Sequence, residues 1–252
     1  MEYWVIPLAM LLGGFVQSAS GFGGALVAMP MLVPLLGLQV AAPMQVLLGL
    51  VTDGMVLHQN RQGFSLRTAL DFIVPSMLGI PIGLAILKFG APSMVIPAMG
   101  LLLIAYALYQ LLIAGHVLEA EFRPLTPRAR RGAWLAGFAG GVLGGAYTTS
   151  GPPLIIYGDL QRWPRLRFRS ILQTVFIVND SVLTASYFAL GMVTSEVWRC
   201  VALGLPALLL GIFLGGRSDR VLPQRGFRVV VLLLLLALGA SLIYSGVKPT
   251  AN

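Results

Sequence analysis

Two aspartates stand where carboxylates are costly. Asp53 falls inside the apolar run 42–60 and Asp180 inside the apolar run 170–190. An acid placed among apolar residues marks a functional position by default. It can carry a proton, cap a half-helix or hydrogen-bond as a neutral acid. Proton carrier and structural brace are both open readings for this pair. Thr52 and Asn179 adjoin the aspartates, and Gln45 and Gln173 sit early in the same two runs. Together they predict a polar cluster facing one cavity. His58 stands near the end of its run, ahead of Arg61. It reads as an interfacial residue, with a proton relay as the sharper alternative.

Two polar breaks supply a second kind of chemistry. The first is Gln17-Ser18-Ala19-Ser20-Gly21-Phe22-Gly23-Gly24, and the second runs from Gly144 through Tyr147-Thr148-Thr149-Ser150-Gly151-Pro152 to Pro153. Glycine permits tight turns and close backbone approach. Pro152-Pro153 stops one helix and suits the first turn of the next. A half-helix that starts at such a turn presents free N–H groups and a positive dipole end. The expected ligands of a small oxyanion are therefore Gln17, Ser18, Ser20, Gly21, Gly23, Gly24 and Gln45 on one side. On the other they are Thr148, Thr149, Ser150, Gly151, Pro152, Gln173 and Asn179. The bland alternative is that these glycines only pack helices together. For Gly79, Gly83, Gly211 and Gly215 that packing reading is the preferred one. No Lys or Arg falls in the middle of an apolar segment; Arg199, at the end of one, is nearest.

The elements that must position these groups repeat. At an offset of 123, Gly14, Phe15, Gly21 and Pro30 fall on Gly137, Phe138, Gly144 and Pro153. With small insertions, Asp53 falls on Asp180, Pro75 on Pro206, and Gly79 and Gly83 on Gly211 and Gly215. Two similar halves, each with a Gly-rich break and one buried acid, point to a membrane transporter. The division predicted is a first membrane repeat over 1–114, a cytoplasmic linker over 115–131 and a second repeat over 132–252.

Composition agrees. Only 10% of residues are charged and 57% are hydrophobic, a balance that leaves too few charges to clothe a soluble domain. The net charge of +8 comes from short basic runs between apolar segments, which excludes a nucleic-acid surface. One cysteine, Cys200, rules out an internal disulfide and argues against a thiolate metal site. The N-terminus lacks a basic signal-peptide region, so it reads as mature sequence. No cofactor or metal is expected.

The apolar segments are 4–36, 42–60, 69–88, 93–114, 132–158, 170–190, 196–216 and 227–246. A crossing takes about 20 residues, so the first and fifth are too long and are broken in the middle. If all eight cross once, the Lys and Arg residues divide 9 to 8 between the two faces. If the two broken segments enter and return on one side, the division is 14 to 3. The second division is what the positive-inside rule expects. The predicted fold is thus an all-α polytopic membrane protein. It is built of two inverted repeats, each a broken or re-entrant helix hairpin followed by three transmembrane helices. Both termini face away from the cytoplasm, across a cell (inner) membrane.

Enzyme readings fail on their motifs. Ser20-Gly21 and Ser150-Gly151 lack the glycine two places earlier that an intramembrane serine protease needs; Ser18 and Thr148 occupy it. Neither aspartate carries Gly-x-Gly before it, and no nucleotide-binding loop or metal-spaced His/Cys set is present. Ser20-Gly21-Phe22-Gly23-Gly24 with Pro30, paired with Gly140-Gly141-x-x-Gly144-Gly145 and Ser150-Gly151-Pro152-Pro153-Leu154, resembles the TauE/SafE family of membrane permeases, described as sulfite exporters. The first half departs from the commoner Gly-x-Gly-Gly-Gly pattern, with Ala25 at the last glycine. The resemblance implies transport of small sulfur-containing anions such as sulfite or organosulfonates. The expected function is a secondary transporter, an exporter working by alternating access as one half rocks against the other, with protons as a coupling partner. A passive anion channel and a non-transporting membrane scaffold are the alternatives. The sequence does not fix an oligomeric state.

Overall fold

The computed structural model describes residues 3–59, 65–112, 126–218 and 224–247. Every regular element among them is a helix: α1 (Val5–Ser20), α2 (Gly24–Leu36), α3 (Leu38–Gln59), α4 (Leu66–Phe89), α5 (Pro92–Leu112), α6 (Pro127–Tyr147), α7 (Gly151–Leu160), α8 (Arg165–Ala189), α9 (Ser195–Ser218) and α10 (Gln224–Val247). Five of them, α3, α4, α5, α8 and α9, are long and apolar enough to cross a membrane. α10 adds an apolar stretch over Val229–Tyr244. Most of the linker, residues 115–125, lies outside the described residues. Its end is already helical: Thr126 caps α6 by accepting from the Ala129 N–H at 3.3 Å, and Pro127 takes the first-turn position that needs no N–H.

Both oversized segments fold back on themselves. Gly13 of α1 lies against Gly24 and Ala28 of α2, and the Gly24 N–H donates to Gln17 Oε1 at 2.8 Å. Later residues of α1 therefore face earlier residues of α2, which makes the pair an antiparallel hairpin. The second pair behaves alike. Gly140 abuts Ser150 and Leu154, and the Tyr157 hydroxyl donates to the Ala129 carbonyl at 2.8 Å. The first turn needs its glycines, since Gly21 (φ 87) and Gly23 (φ 93) are left-handed. In the second turn Thr148 takes that conformation at φ 55, a costly choice for a β-branched residue.

Glycine seams hold the long helices together. Without a hydrophobic driving force between helices in lipid, close backbone packing supplies the attraction. Along α4 and α6, Phe72 meets Gly137, Ser76 meets Gly141 and Ile80 meets Gly145, a constant register that makes the two helices parallel. Gly79 and Gly83 press on the α6 backbone at Phe138 and Val142. Along α1 and α9, Met10 meets Gly204, Gly14 meets Leu208, and Phe15 meets Gly211 and Gly215, again parallel. The packing role expected of Gly79, Gly83, Gly211 and Gly215 holds. Gly100 of α5 and Gly239 of α10 each face the other's carbonyl, at 2.5 and 2.8 Å for a built Cβ.

These seams have a topological consequence. α1 and α2 come from the first half, yet α1 packs most extensively on α9; α6 comes from the second half, yet packs on α4. α5 pairs with α10 and α3 with α8. The halves are interlaced rather than side by side. Arg130 at the start of α6 pairs with Asp71 at the start of α4, at 2.6 Å. Gln110 near the end of α5 donates to Asp159 near the end of α7, at 2.9 Å.

Candidate functional site

The two breaks open onto one small cavity of about 60 Å³. Gln17, Gly23, Gly24, Ala25 and Leu26 line it from the first break; Thr148, Thr149, Ser150 and Gly151 line it from the second. α3 contributes Gln45, Gly49, Thr52 and Asp53, and α8 contributes Phe176 and Asp180. The site is thus assembled from both hairpins and from the two long helices that pair across the halves. A space of that size is on the scale of a few waters or of one small oxyanion.

Donor groups are distributed unequally. α2 begins with free N–H groups, as any helix does. In the turn before it, Gly21 accepts from Gln173 Nε2 at 2.6 Å, and Phe22 accepts from the Ser20 hydroxyl at 2.6 Å. Ala25 and Leu26, in the first turn of α2, also line the cavity. Gly24 N–H is taken by Gln17 Oε1, while Gln17 Nε2 donates to Asp53 Oδ1 at 2.9 Å. α7 offers less, because Pro152 and Pro153 have no N–H.

The hydroxyls divide in the same way. Thr148 and Thr149 both donate to the Tyr147 carbonyl, at 2.7 and 2.9 Å, so their protons close the turn. Ser20 serves its own turn, with Val16 and Phe22 carbonyls as acceptors. Ser150 differs. Its Oγ accepts from Asn179 Nδ2 at 3.4 Å, which leaves its own proton for a ligand. Asn179 is held in turn by Ser76, whose hydroxyl donates to Asn179 Oδ1 at 2.7 Å. The run Ser76–Asn179–Ser150 ties α4, α8 and the second break together.

Several expected ligands stand elsewhere. Ser18 is buried on the α9 side, its hydroxyl against Gly216. Gly21 packs on the Arg169 side chain. Gln173 and Asn179 act on the turns, not on the cavity. Pro152 lines a separate apolar groove with residues of α5. His58 is exposed near the end of α3, outside the cavity. Gln45 and Asp53 are buried at the cavity. Asp180 lines it from α8, its carboxylate against Gly49 of α3.

Two participants went unnoticed in the sequence. Arg169 is 5% exposed and donates to the carbonyls of Ala19 and Ser20 at the end of α1. A cation is therefore fixed beside the first break, contrary to the expectation drawn from the apolar segments. It neutralises the negative end of α1 and, with Gln173 one turn on, clamps the left-handed turn. Their spacing of four places both on one helix face, which was the available signal. Ser76 gave a weaker one, as a polar residue inside the apolar run 69–88.

A probable sulfite/organosulfonate exporter TauE from Cupriavidus necator (strain H16) is 27% identical over 257 residues, covering 97% of this chain and 95% of that protein. No solved structure matches. The model of the sulfite exporter TauE/SafE family matches residues 6–242. With that span matched and five long apolar helices among the described residues, the chain is a multi-pass membrane protein that belongs to the TauE/SafE family of exporters, which are transporters and not enzymes.

Proposed function

We propose that this protein is a secondary transporter that exports a small sulfur oxyanion, sulfite before larger organosulfonates, bound between the two helix breaks. One observation carries the reading: both breaks, from opposite halves of the chain, converge on a single cavity with two aspartates in its wall. The anion is held by the N–H groups of Ala25 and Leu26 and the hydroxyl of Ser150, with Gly151 at the second helix start. Dipoles and neutral donors suit a ligand that must also leave. The cavity volume of about 60 Å³ favours an anion of few atoms; a carbon tail needs an opened state. The exporter relative from Cupriavidus necator supports the substrate class.

Removing the Ser150 hydroxyl tests the site. A hydrogen bond to a charged partner contributes about 1.5–3 kcal/mol, so Ser150→Ala weakens sulfite transport by roughly 10- to 100-fold in affinity. Ser150→Val is harsher, since it fills the cavity as well. Sulfite counterflow in vesicles containing the purified protein measures both. Wild-type counterflow by the two variants at equal protein content assigns the second break to packing alone.

The helix directions support an inverted repeat. α1 and α9 run parallel, as do their counterparts α6 and α4, while α5 and α10 run antiparallel. An axis in the membrane plane that exchanges the halves maps each pair onto its partner. Alternating access then moves interlaced bodies: α1–α2 with α9 against α6–α7 with α4, about the α3–α8 contact. Rocking of the two sequence halves against each other, the simpler expectation, breaks every glycine seam. In this reading both termini lie on the non-cytoplasmic face, with the basic ends of α4, α6 and α8 inside. A C-terminal reporter active only outside the cytoplasm lights up, and one active only inside stays silent; the reverse pattern discards this topology.

A further inference from the structure

Gln17 is committed on both sides. Its Nε2 donates to Asp53 Oδ1 at 2.9 Å and its Oε1 accepts from Gly24 N–H at 2.8 Å. The amide therefore connects a carboxyl in the cavity wall to the first N–H of α2. Gln17 is 7% exposed and Asp53 4% exposed, so water does not stand in readily for either partner.

We propose that Gln17 is the positioning residue that couples proton uptake at Asp53 to anion binding at the start of α2. This rests on the transporter reading above and deepens it. With Asp53 ionised, its oxygens only accept. Gln17 must then keep its NH₂ on Asp53 and its carbonyl on Gly24, and the Gly24 N–H is closed to a ligand. When Asp53 takes a proton from water, its new O–H needs an acceptor. The Gln17 carbonyl supplies it if the amide turns over. Turning brings Nε2 toward Gly24, so two N–H donors now point at one another. That arrangement is unfavourable alone and favourable around an oxyanion, which accepts from both. Proton and anion are each poor ligands without the other and good ligands together. By linkage, each raises the affinity for the other equally. A monovalent anion then moves with one proton and no net charge, and the gradients set the direction.

The charged neighbours do not replace this route. Asp180 lines the same cavity from α8, and its charge adds to the repulsion that protonation relieves. Arg169 is engaged with the end of α1 at Ala19 and Ser20. His58 lies farther along α3 and is exposed. α2 and α9 bring no titratable side chain to the cavity.

The test counts protons. Methanesulfonate is the probe, because it stays ionised across the range and every proton taken up belongs to the protein. Purified wild type binds it more weakly as pH rises, and takes up about one proton per anion bound, as linked sites must. Gln17→Leu binds more weakly at low pH, having lost a donor, but with an affinity that no longer follows pH and with no proton uptake. Asp53→Asn keeps a donor toward the Gln17 carbonyl and so stays in the binding arrangement: its affinity is independent of pH and near the wild-type low-pH value. Wild-type proton uptake in Gln17→Leu overturns the coupling role while leaving the transporter reading intact. If Gln17→Leu does not fold, Asp53→Asn decides, and a pH-dependent affinity there overturns it. Failure of the wild type to bind any sulfonate or sulfite overturns both.

Discussion

Gly141→Leu is expected to abolish the folded protein, and Gly141→Ala to cripple it. A Cβ at Gly141 collides with the carbonyl oxygen, carbonyl carbon and Cα of Ser76. All three belong to backbone, so no rotamer change relieves the contact and the α4–α6 seam must part. Overpacking inside a tight interior costs typically about 1–3 kcal/mol, and a rigid backbone obstacle puts this case at the top of that range or beyond. The loss spreads, because Gly137 and Gly145 lie one turn either side against Phe72 and Ile80. Gly54 is the matched control. Nothing lies within 4 Å of a Cβ built there, and an exposed helical Gly→Ala change gains about 1 kcal/mol of propensity. Thermal unfolding in detergent, followed by size-exclusion profile, should leave Gly54→Ala at or above wild type and lower Gly141→Ala by many degrees. Equal midpoints for the two reject the seam as the source of stability.

Much of this architecture is written along the chain. The two breaks announce themselves as Gly, Ser, Thr and Pro inside segments too long for one crossing. The aspartates stand out because their surroundings are apolar. The paired glycines at 79 and 83, and at 211 and 215, carry the small-xxx-small spacing that close helix packing requires. All of these are local or periodic signals.

What stayed hidden is competition for hydrogen bonds in three dimensions. Counting hydroxyls suggested that Ser20, Thr148, Thr149 and Ser150 all serve a ligand. Three of them instead close their own turns, and only Ser150 keeps its proton free. Counting helix starts suggested an anion end at each break, but the prolines that define the second start also strip it of donors. Arg169 was hidden for a different reason. It belongs to the basic run at the start of α8, and only the packing of α8 on the first turn buries it. The interlacing of the halves was equally invisible, since no local pattern says which half a glycine seam will face.

The largest effect on transport is expected at Asp180. Its carboxyl lines the cavity beside Asp53, and among the described residues no group is shown donating a hydrogen bond to it. Two carboxylates and an oxyanion in one small space repel strongly: unit charges 4 Å apart interact by about 4 kcal/mol at an effective dielectric of 20. That is close to a thousandfold in affinity. Removing charge from this pair therefore favours substrate entry, and acidification must favour binding. Asn keeps the shape of Asp180 but removes both the charge and the titration. In vesicles with an acid exterior, wild type should accumulate methanesulfonate as protons run inward. Asp180→Asn removes a repulsive charge and should raise methanesulfonate affinity at neutral pH by at least about tenfold, while gradient-driven accumulation through Asp53 continues; loss of that accumulation makes Asp180 the carrier instead. The double variant with Asp53→Asn should exchange at a rate independent of pH. Exchange that survives only in wild type makes Asp180 a brace for α3 at Gly49. Gradient-driven accumulation by Asp180→Asn at the wild-type rate excludes it as a proton carrier and leaves Asp53, through Gln17, as the single titrating link between proton and anion.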